Sequence, residues 1–164
     1  MELEVTKLSL TEWISITQNK DIIIPITLHT TSGSMLPVIR IKEDTVIVIP
    51  CELKDAHIGD IVLIRKLDTS AGVVLHRLYR IKNGKIITLG DNMRQPDNEE
   101  NVEMLLGRAI SITGPRKNID CESRLQRILG KIIVYTYRLR PIIFFMRRVF
   151  CKLDRVIRKT KAHG

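Results

Sequence analysis

Cysteine is scarce, with three in 164 residues at Cys51, Cys121 and Cys151. None stands in a CxxC or Cys/His ligand spacing, which excludes a zinc knuckle. So odd and scattered a set fits a reduced, cytosol-facing chain better than a disulfide scaffold. Aromatic residues make up only 4%, too few for a base-stacking nucleic-acid platform. Long apolar runs are missing as well. The longest uncharged stretch, Ile22 to Ile39, holds Pro25, His29, Gly33 and Pro37 among serines and threonines, a composition unlike a membrane span. Arg138, Arg140, Arg147 and Arg148 interrupt the apolar C-terminal part. The N-terminus, MELEVTKLSL, is acidic and has no apolar core, so it does not read as a secretory signal. The expected location is cytoplasmic or peripheral to a membrane.

Acidic residues thin out after residue 120. Residues 121–164 hold 12 Lys/Arg against only Glu122 and Asp154, a net +10, whereas residues 1–120 net −1. A near-neutral body therefore carries a basic tail. Three readings of the tail stand open. One is a docked helix pair whose charged faces are solvated. Another is attachment to an anionic membrane surface by basic amphipathic helices. The third, nucleic-acid binding, has least support, since no reading motif accompanies the charge.

Apolar content is an ordinary 44%, enough for a folded body with its own core. Residues 7–18 carry a loose helical pattern around Leu8, Trp13, Ile14 and Ile16. Six β-rich runs follow, at Ile22–Leu28, Thr45–Ile49, Ile61–Arg65, Val73–Ile81, Lys85–Leu89 and Met104–Ile112. Each is rich in Ile, Val, Leu or Thr and is bounded by turn residues. Asn83-Gly84 reads as a two-residue hairpin turn. Short strands without intervening helices predict a mainly β body over residues 1–114. From 115 the period changes. Leu125, Ile128, Leu129, Ile132, Ile133 and Thr136 recur at helical spacing, and after Pro141 so do Ile142, Phe145, Met146, Val149, Leu153 and Val156. Residues 115–164 thus read as a basic extension of two amphipathic helices broken at Pro141.

Three segments offer chemistry. Thr31-Ser32-Gly33-Ser34-Met35-Leu36-Pro37 is a compact turn able to present a hydroxyl, although on composition alone it is simply a loop. Met35 would anchor that turn apolarly or line a substrate groove. His76 lies within an apolar strand run and shares a face with Val74 and Leu78. Burial would keep it neutral and able to accept a proton; standing alone, it would equally be a hydrogen-bonded core histidine. Gly90-Asp91-Asn92-Met93-Arg94-Gln95-Pro96-Asp97 is a polar loop with two carboxylates able to orient a histidine. A hydroxyl is a weak nucleophile until a base takes its proton, so the three segments together supply the parts of a triad. His29 and His57 are competing bases, and His163 in the tail is a weaker one.

These residues resemble the type I signal peptidases. Ser32-Gly33-Ser34-Met35-x-Pro37 is similar to their nucleophile motif, and Gly59-Asp60-Ile61-Val62 to the strand that follows it. His76-Arg77 falls at their base position, and Gly90-Asp91-Asn92 with Asp97 resembles their last box. Four motifs in order over residues 30–112 make a specific signal. Bacterial members generally use lysine as base. Histidine at 76 resembles the endoplasmic-reticulum, archaeal and spore-former subtype.

The resemblance implies a serine endopeptidase without metal or cofactor that removes a leader from a precursor peptide. Ser34 would be the nucleophile and His76 the general base. Asp97 would orient His76, with Asp91 as a structural or alternative acid. The oxyanion would be held by the Ser34 N–H with the Ser32 hydroxyl, which has this role in lysine-type members. The fold implied is the β-rich one shared with LexA-type self-cleaving repressors. Those use lysine and carry a DNA-binding domain before the protease, for which about 30 residues ahead of the motif leave no room. Ala71-Gly72 is a pair of the kind they cut, but it follows the nucleophile. The chain departs from signal peptidases in lacking an N-terminal anchor, in its short body and in its basic helices. A non-catalytic relative that binds peptide or membrane is the alternative reading.

Overall fold

The computed structural model describes residues 9–17, 23–66, 72–98 and 102–139. The protein is mainly β. Helix α1 (Leu10–Thr17) precedes strands β1 (Ile26–His29), β2 (Thr45–Pro50), β3 (Ile61–Lys66), β4 (Val73–Lys82), β5 (Lys85–Leu89), β6 (Val102–Gly114) and β7 (Lys117–Asp120), and helix α2 (Arg124–Tyr135) follows. The strands form one antiparallel sheet in the order β1-β2-β6-β3-β4-β5, with β7 paired to the far end of β6. The chain divides into two compact units, Met1–Val134 and Tyr135–Gly164.

Five of the six expected β-rich runs match strands within two residues at each end. The first is shorter, starting at Ile26. Asn83 (φ 51°) and Gly84 (φ 73°) both take positive φ, as the mirror-image two-residue hairpin turn between β4 and β5 requires. The expected N-terminal helix is α1. Its start is fixed by a reciprocal cap, in which Ser9 N donates to Glu12 Oε2 at 2.8 Å and Glu12 N donates to Ser9 Oγ at 3.3 Å.

The sheet extends past the expected end of the β body. β7 pairs Lys117–Asp120 with Ser111–Gly114, so residues 117–120 are strand and not part of a helical extension. The first expected basic helix is α2, capped by Ser123, whose Oγ accepts from Gln126 N at 3.4 Å. The second expected helical stripe, from Ile142 onward, lies outside the described residues. Among the described residues no helix is long and apolar enough to cross a membrane.

Both faces of the sheet are packed. β3 shows why, since four successive residues are buried. Ile61 and Leu63 join a large cluster with Trp13, Met35, Ile39, Val46, Val48 and Ile112, whereas Val62 and Ile64 join a smaller one with Leu78 and Ile86. Alternation assigns odd and even residues to opposite faces, and a strand covered on both sides reads as a continuous apolar run. Helix α1 seals the larger cluster with Trp13, which is fully buried and donates from Nε1 to the Ile24 carbonyl at 2.7 Å.

Candidate active site

The Ser32–Ser34 turn joins β1 to β2 and is held from below and from the side. Met35, the next residue, is 1% exposed inside the larger cluster. Of the two roles expected for Met35, the buried position fits the apolar anchor and not the lining of a substrate groove. Strongly apolar and wholly enclosed, it anchors the turn from beneath. From the side, Asn92 N donates to the Ser34 carbonyl at 2.7 Å and Asn92 Nδ2 donates to the Gly33 carbonyl at 3.2 Å. Ser34 Oγ lies 3.2 Å from Ser32 Oγ and is not hydrogen-bonded to His76. The Ser34 N–H has no acceptor among the described residues.

His76 sits in the middle of β4, opposite Val62 of β3, and is 4% exposed. Buried polar side chains are ordinarily hydrogen-bonded. Nδ1 lies 2.6 Å from Asp97 Oδ2, and with an ionised carboxylate as acceptor it is the nitrogen that carries the proton. Nε2 is then the free base. It faces Gly90: a methyl group added there would stand 3.2 Å from His76 Nε2, 2.8 Å from the Ser34 carbonyl oxygen and 2.6 Å from Met93 Cγ. His76 and the Ser34 turn therefore close on the same point, and only a residue without a side chain fits between them.

Asp97 is pinned through both oxygens. Oδ2 accepts from His76 and from the Thr88 hydroxyl, and Oδ1 accepts from Lys66 Nζ at 2.8 Å. Its backbone N–H donates to the Thr88 carbonyl at 2.8 Å. Burial acts to raise the Asp97 carboxyl, but the hydrogen bond and charge of His76, with the bonds from Lys66 and Thr88, outweigh it and hold the group down to about 2. Asp91 is placed otherwise. Its two oxygens accept from Arg77 Nε at 2.8 Å and Nη2 at 2.6 Å, and Arg77 Nη1 donates to the Gly59 carbonyl at 2.7 Å. The carboxylate beside His76 is thus Asp97, and Asp91 serves a buried arginine.

The structure brings the turn of Ser32 and Ser34 together with His76 and Asp97. The other histidines are elsewhere. His29 is exposed at the end of β1, His57 is half-exposed with Nδ1 3.7 Å from Asp60, and His163 lies outside the described residues. Burial pushes the thiols of Cys51 and Cys121 up to about 11, so neither is a thiolate nucleophile at neutral pH. Among the described residues no group of three or more His, Cys, Asp and Glu is placed to hold a metal ion. A cavity beside Gly59, lined by Asp60, Arg77, Arg108, Cys121 and Arg127 among others, includes none of Ser34, His76 and Asp97.

Lys66 and Thr88 escape a reading of the sequence. A lysine closing an apolar strand reads as a solvated end, and a threonine inside a strand reads as β-propensity. Only the three-dimensional pairing of β3, β4 and β5 brings both to Asp97. Comparison with protein-family models, curated proteins and solved structures finds no match.

Proposed function

We propose that the protein is a serine endopeptidase that removes a leader segment from a precursor peptide. The observation that carries this reading is the orientation of His76. One ring nitrogen is bound to a buried carboxylate and the other is turned to the point where the Ser34 turn arrives. A merely structural histidine would not need its second nitrogen turned towards the backbone of the Ser34 turn.

The reaction follows from these parts. Ser34 Oγ attacks the scissile carbonyl carbon while His76 Nε2 takes the hydroxyl proton. Asp97 keeps the proton on Nδ1 and stabilises the imidazolium that forms. The tetrahedral oxyanion accepts from the Ser34 N–H, with the Ser32 hydroxyl nearby to contribute; a donor of this kind is worth ~10²–10³ in turnover. The C–N bond then breaks, His76 gives its proton to the leaving amine, and the acyl group stays on Ser34. Water, activated by His76, hydrolyses that ester and regenerates the hydroxyl. The leader-peptide substrate rests on the resemblance to signal peptidases, which generally prefer small residues before the cut.

A second observation concerns location. Leu125, Ile128 and Leu129 of α2 are 64%, 56% and 39% exposed, whereas Gly130 and Val134 are its buried residues. The exposed residues Arg124, Arg127 and Lys131 accompany them, and α2 contains no acidic residue. An outward apolar face edged with cations matches an anionic bilayer surface, and we infer that α2 rests on one.

The test is a peptide mixture incubated with the wild type, Ser34→Ala and His76→Ala, with cleavage read by mass spectrometry. Cleavage by the wild type alone is the expected result. Comparable cleavage by either variant contradicts the mechanism, and no cleavage by any of the three leaves the non-catalytic peptide-binding reading in its place.

A further inference from the structure

We propose that Lys66 is a positioning residue of the site: by binding Asp97 Oδ1 it fixes the plane of the carboxylate and balances its charge, which keeps His76 available as a base. The inference rests on the peptidase reading above. The Lys66 and Asp97 side chains are each 9% exposed, and Nζ lies 2.8 Å from Oδ1. Removing a lysine and a carboxylate from water is costly unless they meet in good geometry. The pair lies against the same carboxylate that holds His76, not on a remote surface.

The two oxygens divide the work. His76 and Thr88 both donate to Oδ2, and Lys66 donates to Oδ1. Lys66 is itself fixed, because it ends β3 and its backbone N–H donates to the Gly72 carbonyl at 3.0 Å. With both oxygens held, the carboxylate cannot turn about its bond to the chain, and the direction of the His76 ring is set by two strands and a loop. Without Lys66, one oxygen is released.

The electrostatic consequence has a definite sign. The groups that hold the Asp97 carboxyl down are the His76 ring, followed by Lys66 and the Thr88 hydroxyl as hydrogen-bond donors. Taking away the ammonium leaves an uncompensated negative charge beside the imidazole, which favours the protonated ring. The acid limb of the reaction's pH profile would then lie at higher pH than in the wild type. A lysine that served stability alone would leave the pH dependence of the reaction where it was.

The experiment compares the wild type with Lys66→Met and Lys66→Arg in two readouts. The first is the carboxyl ¹³C titration of Asp97, which needs no substrate. We expect its midpoint to move from about 2 towards the ordinary 3.8 in Lys66→Met and to stay low in Lys66→Arg, which keeps the charge. The second is the pH profile of kcat/KM on a peptide that the wild type cleaves. The acid limb should move to higher pH in Lys66→Met, with kcat about tenfold lower and KM unchanged, the lower end of the loss seen when a residue that orients a metal ligand is removed. Lys66→Arg should restore most of the rate. An unmoved Asp97 midpoint, or an unmoved acid limb, overturns the proposal. A wild type that cleaves nothing overturns the peptidase reading and the catalytic role of Lys66 with it, while the carboxyl titration still reports whether the pair is coupled. Should Lys66→Met not fold, Lys66→Gln, which keeps a donor without the charge, is read the same way.

Discussion

His76 and Arg77 are neighbours on β4 and project to opposite faces, which separates the two carboxylates of the loop that follows β5. His76 takes Asp97, and Arg77 takes Asp91 and the Gly59 carbonyl. The two acids therefore fail differently. Asp97→Asn keeps the shape but offers an amide where a carboxylate held the tautomer, and kcat should fall by up to ~10⁴, still less than the loss in Ser34→Ala. Asp91→Asn breaks a bidentate ion pair whose side chains are 6% and 3% exposed, so it should cost ~3 kcal/mol of stability. Thermal unfolding and peptide kinetics on both variants separate the roles. Acid adds a further check. The Asp97 carboxyl sits at about 2 against an ordinary 3.8, so its contribution to stability is complete above 3.8 and disappears as the pH falls through about 2. The stability advantage of the wild type over Asp97→Asn should shrink across that window and hold steady above it. Ser34, His76 and Asp97 stand out in the sequence through the resemblance of their motifs to signal peptidases, and the structure brings their segments together. Which of Asp91 and Asp97 serves His76 is not legible in the sequence, because that depends on the face each neighbour of β4 presents.

At the scale of elements, two close approaches hold the site together. The loop after β5 meets the Ser34 turn across Gly90, with no room for a methyl group between Ser34, Met93 and His76. Gly90→Ala should displace one of them, and a shift of ~1 Å at a reacting group can cost ~10² in rate. Steady-state kinetics with a circular-dichroism check of the fold would show it; wild-type activity in this variant would contradict the placement of the turn. Helix α2 meets the turn before β3 in the same manner, where a methyl on Gly59 (φ +99°) would stand 2.7 Å from Gly130 C and Lys131 N. The strands are readable from sequence because β-branched runs end cleanly at Asn-Gly and Gly-Asp. β7 is not readable, since Lys117–Asp120 has Ile119 as its one apolar residue. It forms because β6 is long enough to fold back on, and because Lys117 reaches Asp44 at 2.5 Å and the Val38 carbonyl. A tertiary ion pair of that kind leaves no local pattern.

For the whole molecule, the question is what the basic segment does. The periodicity of α2 is legible, but which side of it packs is not. Its contact with the body is made through Gly130 and Val134, which leaves Leu125, Ile128 and Leu129 outward. If this face rests on anionic lipid, the protein should sediment with phosphatidylglycerol vesicles and not with phosphatidylcholine vesicles, at ~1 kcal/mol for each Lys/Arg near the surface. Leu125→Gln with Ile128→Gln should weaken that binding while thermal stability stays within about 0.5 kcal/mol, as exposed substitutions do. Equal binding to both vesicle types, or none, would remove the membrane from the account. Lower binding with unchanged cleavage of a free peptide would separate location from chemistry.

The most direct measurement is of the covalent intermediate. A peptide ester that the wild type turns over is mixed with it and quenched in acid within the turnover time, and the protein is mapped by mass spectrometry. The account predicts an acyl group on the Ser34 hydroxyl in the wild type, and none in Ser34→Ala. Turnover in which no acyl group is found, or an acyl group on any other residue, would contradict it.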